Sequence, residues 1–372
     1  MFHFVDMELY IPNRVDRDTP DYHIVDYLNK LSTTSTVKIN ISYRGLTKIP
    51  DLTRFKNLKK LCCEGNELTS LPPLPPSLEI LNCEENALTD LSNLPVGLKE
   101  LCCNSNKLTS LTLPPNIEIV YCEYNQIQDF QVLPDTLKIL HCCNNALVCL
   151  PASLPANLQE LYCDNNHITS LPTTLPKNLT DLSISYNMLK SLPDDLSENL
   201  IVLRCNHNQI TDLPSTLPST LEYLNFEDNH VSTLPVVLSE SLRGLYCDFN
   251  YLFELPELPG NLETLSCNSN YLSKMPALPP KLTGLYCMNN ELFNLPEFPE
   301  TLEVVKCDDN NLHYLPLLNE NIRLFSCSSN PVCEIIEYIN PGNNTRLEES
   351  YKEVLNQRIH KLNSFRCDIV TN

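Results

Sequence analysis

The chain has 372 residues, with 26 Lys and Arg against 46 Asp and Glu and a net charge of −20. That balance excludes sequence-independent nucleic-acid binding, which needs clustered cations, and attraction to an anionic membrane surface. It contains 29 Pro, only 7 Gly and no Trp, a composition that breaks long helices and central strands. As ordinary globular folds the length would mean two or three domains, whereas a repeat array grows along one axis without enlarging its core.

The opening stretch, MFHFVDMELYIPN, lacks a basic region, and Asp6 and Glu8 interrupt its apolar run, so it does not read as a secretory signal. No segment reaches the roughly 18 apolar residues of a membrane span. Sequons at Asn40, Asn178 and Asn343 carry little weight without a signal. TPDYHIVDYLNKLS predicts a helix over about 20–32, with Thr19 as N-cap, Pro20 in the first turn and an apolar face of Ile24, Val25, Leu28 and Leu31. Residues 1–36 are thus expected to cap the N-terminal end, with a remnant of an adaptor-binding segment as the alternative.

From residue 37 to 332 one phrase returns. Asparagines recur at 66, 86, 106, 125, 145, 166, 187, 208, 229, 250, 270, 290, 310 and 330, with gaps of 19 to 21 residues. A degenerate earlier copy, VKINISYRGLTKIP, makes about fifteen units. The framework is Leu-x-x-Leu-x-Cys-x-x-Asn-x-Leu-x-x-Leu-Pro, the leucine-rich repeat signature at the short end of its period. The x-Leu-x-Cys-x portion alternates and predicts a short strand with Leu and Cys on one face. Stacked units put these strands in a parallel ladder and close the core that one unit cannot. The asparagine carries donors and an acceptor and is expected to satisfy the backbone of the turn leaving the strand, as at Asn86, Asn106, Asn166 and Asn208. The rest of each unit, such as LPPLPPS or LPASLPANL, has too many prolines for a helix, so polyproline II-like chain is expected there.

Of 18 cysteines, twelve stand three places before the asparagine, among them Cys83, Cys103, Cys163 and Cys205. Disulfides, metal ligation and core filling compete for these. Ile184 and Phe226 occupy the same place in two units, and neither binds metal nor bridges, which favours cysteine as a small apolar filler. No metal and no cofactor are expected. Many unpaired thiols imply a reducing, intracellular compartment. By alternation Cys62, Cys102 and Cys143 are expected on the solvent side of their strands.

Two columns of exposed strand positions can be read off. The place two before the asparagine is acidic in seven of fourteen units and basic in none, and includes Glu123, Asp164, Glu227 and Asp248. The place four before includes Tyr121, Tyr162, Tyr246 and Tyr286, with His141 and Arg204. Carboxylates interleaved with tyrosines suit a basic protein segment; a merely solvating acidic face is the other reading.

Past the repeats, EIIEYIN is followed by Pro341-Gly342. Leu347, Tyr351, Leu355, Ile359 and Leu362 then fall at helical spacing, so 333–372 is expected to be a helical C-terminal cap. The Leu-Pro-x-x-Leu-Pro-x-x-Leu-x-x-Leu phrase resembles the LPX-type leucine-rich repeats of bacterial effectors injected into host cells. Its cysteine version also resembles repeat proteins of giant amoeba viruses. The resemblance implies a leucine-rich repeat solenoid of the α/β horseshoe class, with a parallel β-ladder on the concave face, an extended convex face and short helical caps. Some of those effectors carry a C-terminal ubiquitin-ligase domain. About 40 residues follow the last repeat here, too few for that activity to be carried over. The expected function is a non-catalytic, monomeric scaffold that binds a protein, a host protein with a basic segment if the resemblance extends so far. A substrate-recruiting adaptor in ubiquitination and a structural component without a specific partner are the alternatives.

Overall fold

The structure is a computed structural model that describes residues 20–336 and 352–361, with side chains over 23–333 and 352–361. Two compact units are present, Met1–Gln126 and Ile127–Asn372. The first holds helix α1 (Pro20–Lys30) and strands β1 (Lys38–Asn40), β2 (Lys60–Cys62), β3 (Ile80–Asn82), β4 (Glu100–Cys102) and β5 (Ile119–Tyr121). The second holds β6 (Ile139–His141), β7 (Glu160–Tyr162), β8 (Asp181–Ser183), β9 (Val202–Arg204), β10 (Tyr223–Asn225), β11 (Gly244–Tyr246), β12 (Thr264–Ser266), β13 (Gly284–Tyr286), β14 (Val304–Lys306) and β15 (Leu324–Ser326). Helix α2 (Pro331–Ile336) and helix α3 (352–361) follow in the same unit.

Within each unit consecutive strands pair in parallel without a register slip: Leu61 faces Leu81, and Leu161 faces Leu182. The central residue of every strand is buried, and so are the ladder cysteines, with Ile184 and Phe226 equally buried in their places. The cysteines are free thiols. The S–H groups of Cys63, Cys163, Cys247 and Cys307 find strand carbonyls in the following repeat, as from Cys247 to Ser266 O at 3.2 Å and Cys307 to Ser326 O at 3.2 Å. Burial pushes the Cys205 thiol up to about 12 and Cys287 likewise to about 12.

The asparagines join consecutive repeats. Asn208 Nδ2 donates to Cys205 O at 3.0 Å in its own unit and to Ile184 O at 3.0 Å in the one before. Its Oδ1 accepts the Leu189 N–H at 3.0 Å. Asn106 and Asn166 do the same, and Asn86 also, though it is half-buried. The residue just before each asparagine lies in the left-handed region, at φ between 51° and 56° where it is not glycine. That turn keeps the ladder going: the Tyr186 N–H reaches Asn206 O at 2.9 Å. Gly65 holds this place in its unit, and the Tyr43 ring lies where a Cβ would be.

The return segments contain neither helix nor strand. The Leu-Pro-x-x-Leu just before a strand closes on itself, the Leu158 N–H donating to Pro155 O at 3.0 Å. Proline has no N–H to leave unsatisfied and starts such a turn at little cost. Where Ser197 and Ser239 replace it, their hydroxyls instead donate to Lys177 O and Ser219 O of the preceding repeat. A second polar ladder runs along this side: Asn157, Asn178 and Asn199 donate to Asp135 O, Ala156 O and Lys177 O at 2.9, 3.0 and 2.9 Å.

At the N-terminal end α1 finishes at Lys30 and buries Ile24 and Leu28, while Val25 stays 43% exposed, so the apolar stripe is narrower than expected. Thr19 lies outside the described residues. At the other end α3 buries Leu355 and Ile359. Asn356 exchanges two hydrogen bonds with the Leu318 backbone, both at 2.8 Å. Leu347, Tyr351, Leu362 and Pro341-Gly342 lie outside the described residues, or their side chains do.

Asn208→Ala leaves the buried Leu189 N–H without a partner, while the Ile184 and Cys205 carbonyls keep their bonds from Asn187 and Asn229. It is expected to lower stability by roughly 1–3 kcal/mol, the cost of one orphaned buried group. Urea unfolding checks this, with Ala146→Ser, at a half-buried turn position, as the neutral comparison.

Candidate partner-binding face

The outward strand positions are the ones that a partner would meet, because each strand points its central residue and the ladder cysteine to the core. Tyr121 and Glu123, both half-buried, belong to the first unit. Tyr162, Asp164, Arg204, Glu227, Tyr246, Asp248 and Tyr286 belong to the second, where they form two clusters.

The first spans β6 to β9. The His141 ring stacks on Tyr162 with centroids 4.2 Å apart and planes 9° from parallel, and its Nε2 lies 3.3 Å from Glu160 Oε2. Burial raises the Tyr162 hydroxyl, the Asp181 and Glu160 charges raise it further, and Arg204 acts against them. Asp164 is turned inward. Its carboxylate accepts the Ser183 hydroxyl at 2.8 Å and the Ser185 N–H at 2.6 Å, and Cys143 Sγ lies 3.6 Å away. Arg204 is the exposed member.

The second spans β10 to β13. Tyr246 and Tyr223 close over Gly244, where a Cβ would come within 2.9 Å of both rings. The tyrosines therefore lie flat along the sheet instead of standing into solvent. Asp248 is buried and repeats the Asp164 arrangement, accepting the Ser266 hydroxyl at 2.7 Å and the Asn268 N–H at 2.5 Å. Burial holds its carboxyl above the ordinary value despite these bonds. Glu227 beside it is also raised, first by burial and then by the Asp248 charge.

Sequence reasoning treated the acidic column as one kind of residue, and the structure divides it. Asp164, Asp248 and Asp308 each bind a serine of the next strand: Ser183, Ser266 and Ser326. These are all the aspartates at that place and all the serines four before an asparagine, so the pairing was present in the text as a covariation between repeats. Glutamates at the same place reach differently: Glu84 accepts the Cys102 thiol at 3.2 Å. Cys62 and Cys143 are buried, contrary to the expectation from alternation, and Cys102 is half-buried. Neighbouring side chains in adjacent rungs, about 4.8 Å apart, cover these small residues. The Cys62 and Cys102 thiols are accordingly raised, by burial above all.

A second surface went unread. Where the chain leaves the ladder, the His230, Tyr251 and Tyr271 rings follow one another at 5.6 and 6.2 Å. Phe253 stacks on Tyr271 at 5.5 Å and Phe293 on His313 at 4.5 Å. Phe253 is 61% exposed and Tyr251 45%. The signal was an aromatic one or three places after the asparagine in successive units.

Among the described residues no group of three or more His, Cys, Asp and Glu is arranged to hold a metal ion, and no helix is long and apolar enough to cross a membrane.

A family model for the leucine-rich repeat matches residues 157–177. Among solved structures, YopM from Yersinia enterocolitica is 33% identical over 79% of this chain and 74% of its own, with a TM-score of 0.65. The leucine-rich effector YopM from Yersinia pestis is 32% identical over 84% and 87%, with a TM-score of 0.73. The functional domain of InlJ from Listeria monocytogenes, described as including a cysteine ladder, is 26% identical over 78% and 68%, with a TM-score of 0.71. No curated protein sequence matches the chain.

The buried carboxyl of Asp248 sits above its unfolded value of about 3.9, so the folded state favours its protonated form. Its contribution to stability is full below the unfolded value and is lost as pH rises through the folded one. In urea midpoints measured from pH 7 down to 3.5, wild type should gain relative to Asp248→Asn, which cannot take up that proton. Asp248→Ala should cost about 1–3 kcal/mol at pH 7, since it strands the Asn268 N–H and the Ser266 hydroxyl.

Proposed function

The chain belongs to the leucine-rich repeat proteins, and from that premise we propose that it is a non-catalytic scaffold whose strand face in Ile127–Asn372 binds a protein with a basic segment. The observation that carries this reading is the second cluster. Glu227 is a half-buried carboxylate that burial and then the Asp248 carboxylate beside it raise, with His207 acting in the opposite direction. A cation from a partner would relieve that repulsion, and Tyr246 on the next strand, with Tyr286 two strands further along, offers rigid contact area for the stem of an arginine or lysine. Asp164 and Asp248 contribute negative potential without giving up their internal bonds. Arg204 and the His141–Tyr162 stack supply polar contacts that fix orientation. Tyr121 and Glu123 offer the same pairing of residues in the first unit.

The name of the similar Yersinia protein, an effector, supports a partner in a host cell. Free thiols throughout the ladder support an intracellular, reducing setting.

Glu227→Lys is expected to weaken capture of the basic partner by about tenfold at low salt, with a smaller effect at high salt as screening sets in. Arg204→Glu should change affinity less, and Asp194→Lys, exposed on a return segment, should leave it unchanged. Affinity should also fall on acidification, starting above the ordinary glutamate range because Glu227 is raised. Calorimetric titration of each purified variant with the partner identified by proximity labelling checks all three. Equal affinity for wild type and Glu227→Lys would remove the strand face from the reading.

A further inference from the structure

At the end of the sulfur ladder the pattern changes. The thiols of Cys163, Cys247 and Cys307 donate to strand carbonyls of the next repeat, at 3.6, 3.2 and 3.2 Å. Cys327 is on the last repeat, and β15 is the last strand among the described residues. Its sulfur instead lies 3.0 Å from Cys333 Sγ, and the Cys333 thiol also reaches Cys327 O at 2.7 Å. Cys333 stands three places after Asn330, in the first turn of α2. The same place in the thirteen earlier units is held by Thr, Ser, Gln, Val, Lys, Phe or His, and never by Cys. A thiol stands there at the rung whose ladder sulfur has no following strand among the described residues.

The two sulfurs differ in a way that suits an exchange reaction. Cys327 is buried, and its hydrogen bond with Cys333 and then burial push its thiol far up. Cys333 is half-buried and its thiol is lowered, chiefly by its hydrogen bond with Cys327. One thiol is therefore the ready nucleophile and the other waits in contact with it.

We propose that Cys327 and Cys333 form a dithiol site that takes a small disulfide of the glutathione type as its substrate and closes into a reversible disulfide fastening α2 to the last turn of the solenoid. The Cys333 thiolate attacks one sulfur of glutathione disulfide, whose S–S bond breaks and releases one glutathione thiolate. Cys327 then loses its proton and attacks the Cys333 sulfur of the mixed disulfide, displacing the second glutathione. Two protein thiols become one disulfide, two electrons pass to glutathione disulfide, and the two thiol protons end on two glutathione molecules. Bond formation needs an approach of about 1 Å, from contact to the roughly 2.05 Å of a disulfide. The ladder thiols are spared because they are buried, and those of Cys247 and Cys307 are also well above their ordinary value and bonded to strand carbonyls.

The test uses the full chain, fully reduced and then exposed to glutathione disulfide at pH 7.5, quenched with N-ethylmaleimide and read by intact mass and peptide mapping. Wild type should lose two alkylatable thiols and two hydrogens, with a cross-link between the peptides of Cys327 and Cys333. Cys327→Ser should stop at a glutathione adduct on Cys333, formed several-fold faster than on the exposed Cys149. Cys333→Ser, a half-buried isosteric change that leaves the ladder intact, should leave Cys327 reduced. The proposal is overturned if wild type keeps glutathione on Cys333 without closing, if both thiols stay reduced while Cys149 reacts, or if the link joins two ladder cysteines.

Discussion

A buried asparagine that serves two repeats at once holds this chain in order. A short parallel strand leaves backbone groups at its end that water cannot reach, and an unpaired group there costs about 1–3 kcal/mol. Asn208 answers three of them, two in the repeat before its own. Each repeat is thus incomplete until its neighbour is laid down, and the spacing of 19 to 21 residues follows from that dependence. The left-handed residue ahead of each asparagine is the accompanying strain. It costs a non-glycine residue stability but turns the next N–H toward the adjacent rung, as the Asn187 N–H, 3.2 Å from His207 O, shows.

Polar side chains between rungs carry the same logic outward. On the strand face aspartates bind serines of the following strand; on the return side Asn157, Asn178 and Asn199 bind carbonyls of the preceding repeat. Two polar ladders therefore flank the core, and prolines fill the turns where no N–H is required. The acidic strand face is divided by this economy. Aspartate is short enough to be drawn into the sheet, whereas Glu227 is left with a charge that its neighbour opposes. A surface with residual like-charge strain is a better docking place for a cation than one whose carboxylates are all internally bonded.

Sulfur serves as packing along the ladder and as chemistry only where the ladder ends. Isoleucine and phenylalanine replace cysteine at 184 and 226 with equal burial, which marks the position as a volume to be filled. The functional domain of InlJ, similar to this chain, is likewise described as including a cysteine ladder. Cys327 differs from the other rungs in its neighbour alone.

The amino-acid sequence by itself determined the repeat, the strand positions, the inward side of Leu and Cys and the role of asparagine, because all of these recur at one period and a repeated environment leaves a repeated residue. It also placed helices at both ends from local periodicity. Tertiary structure alone decided which outward residues are free. Exposure of Cys62 or Cys143, the inward turn of Asp164 and Asp248, and the stacking of Tyr251 on Tyr271 depend on what stands one rung away, about 20 positions distant in the chain. A reading confined to one unit cannot see a neighbour so far along the chain, although it stands only about 4.8 Å away.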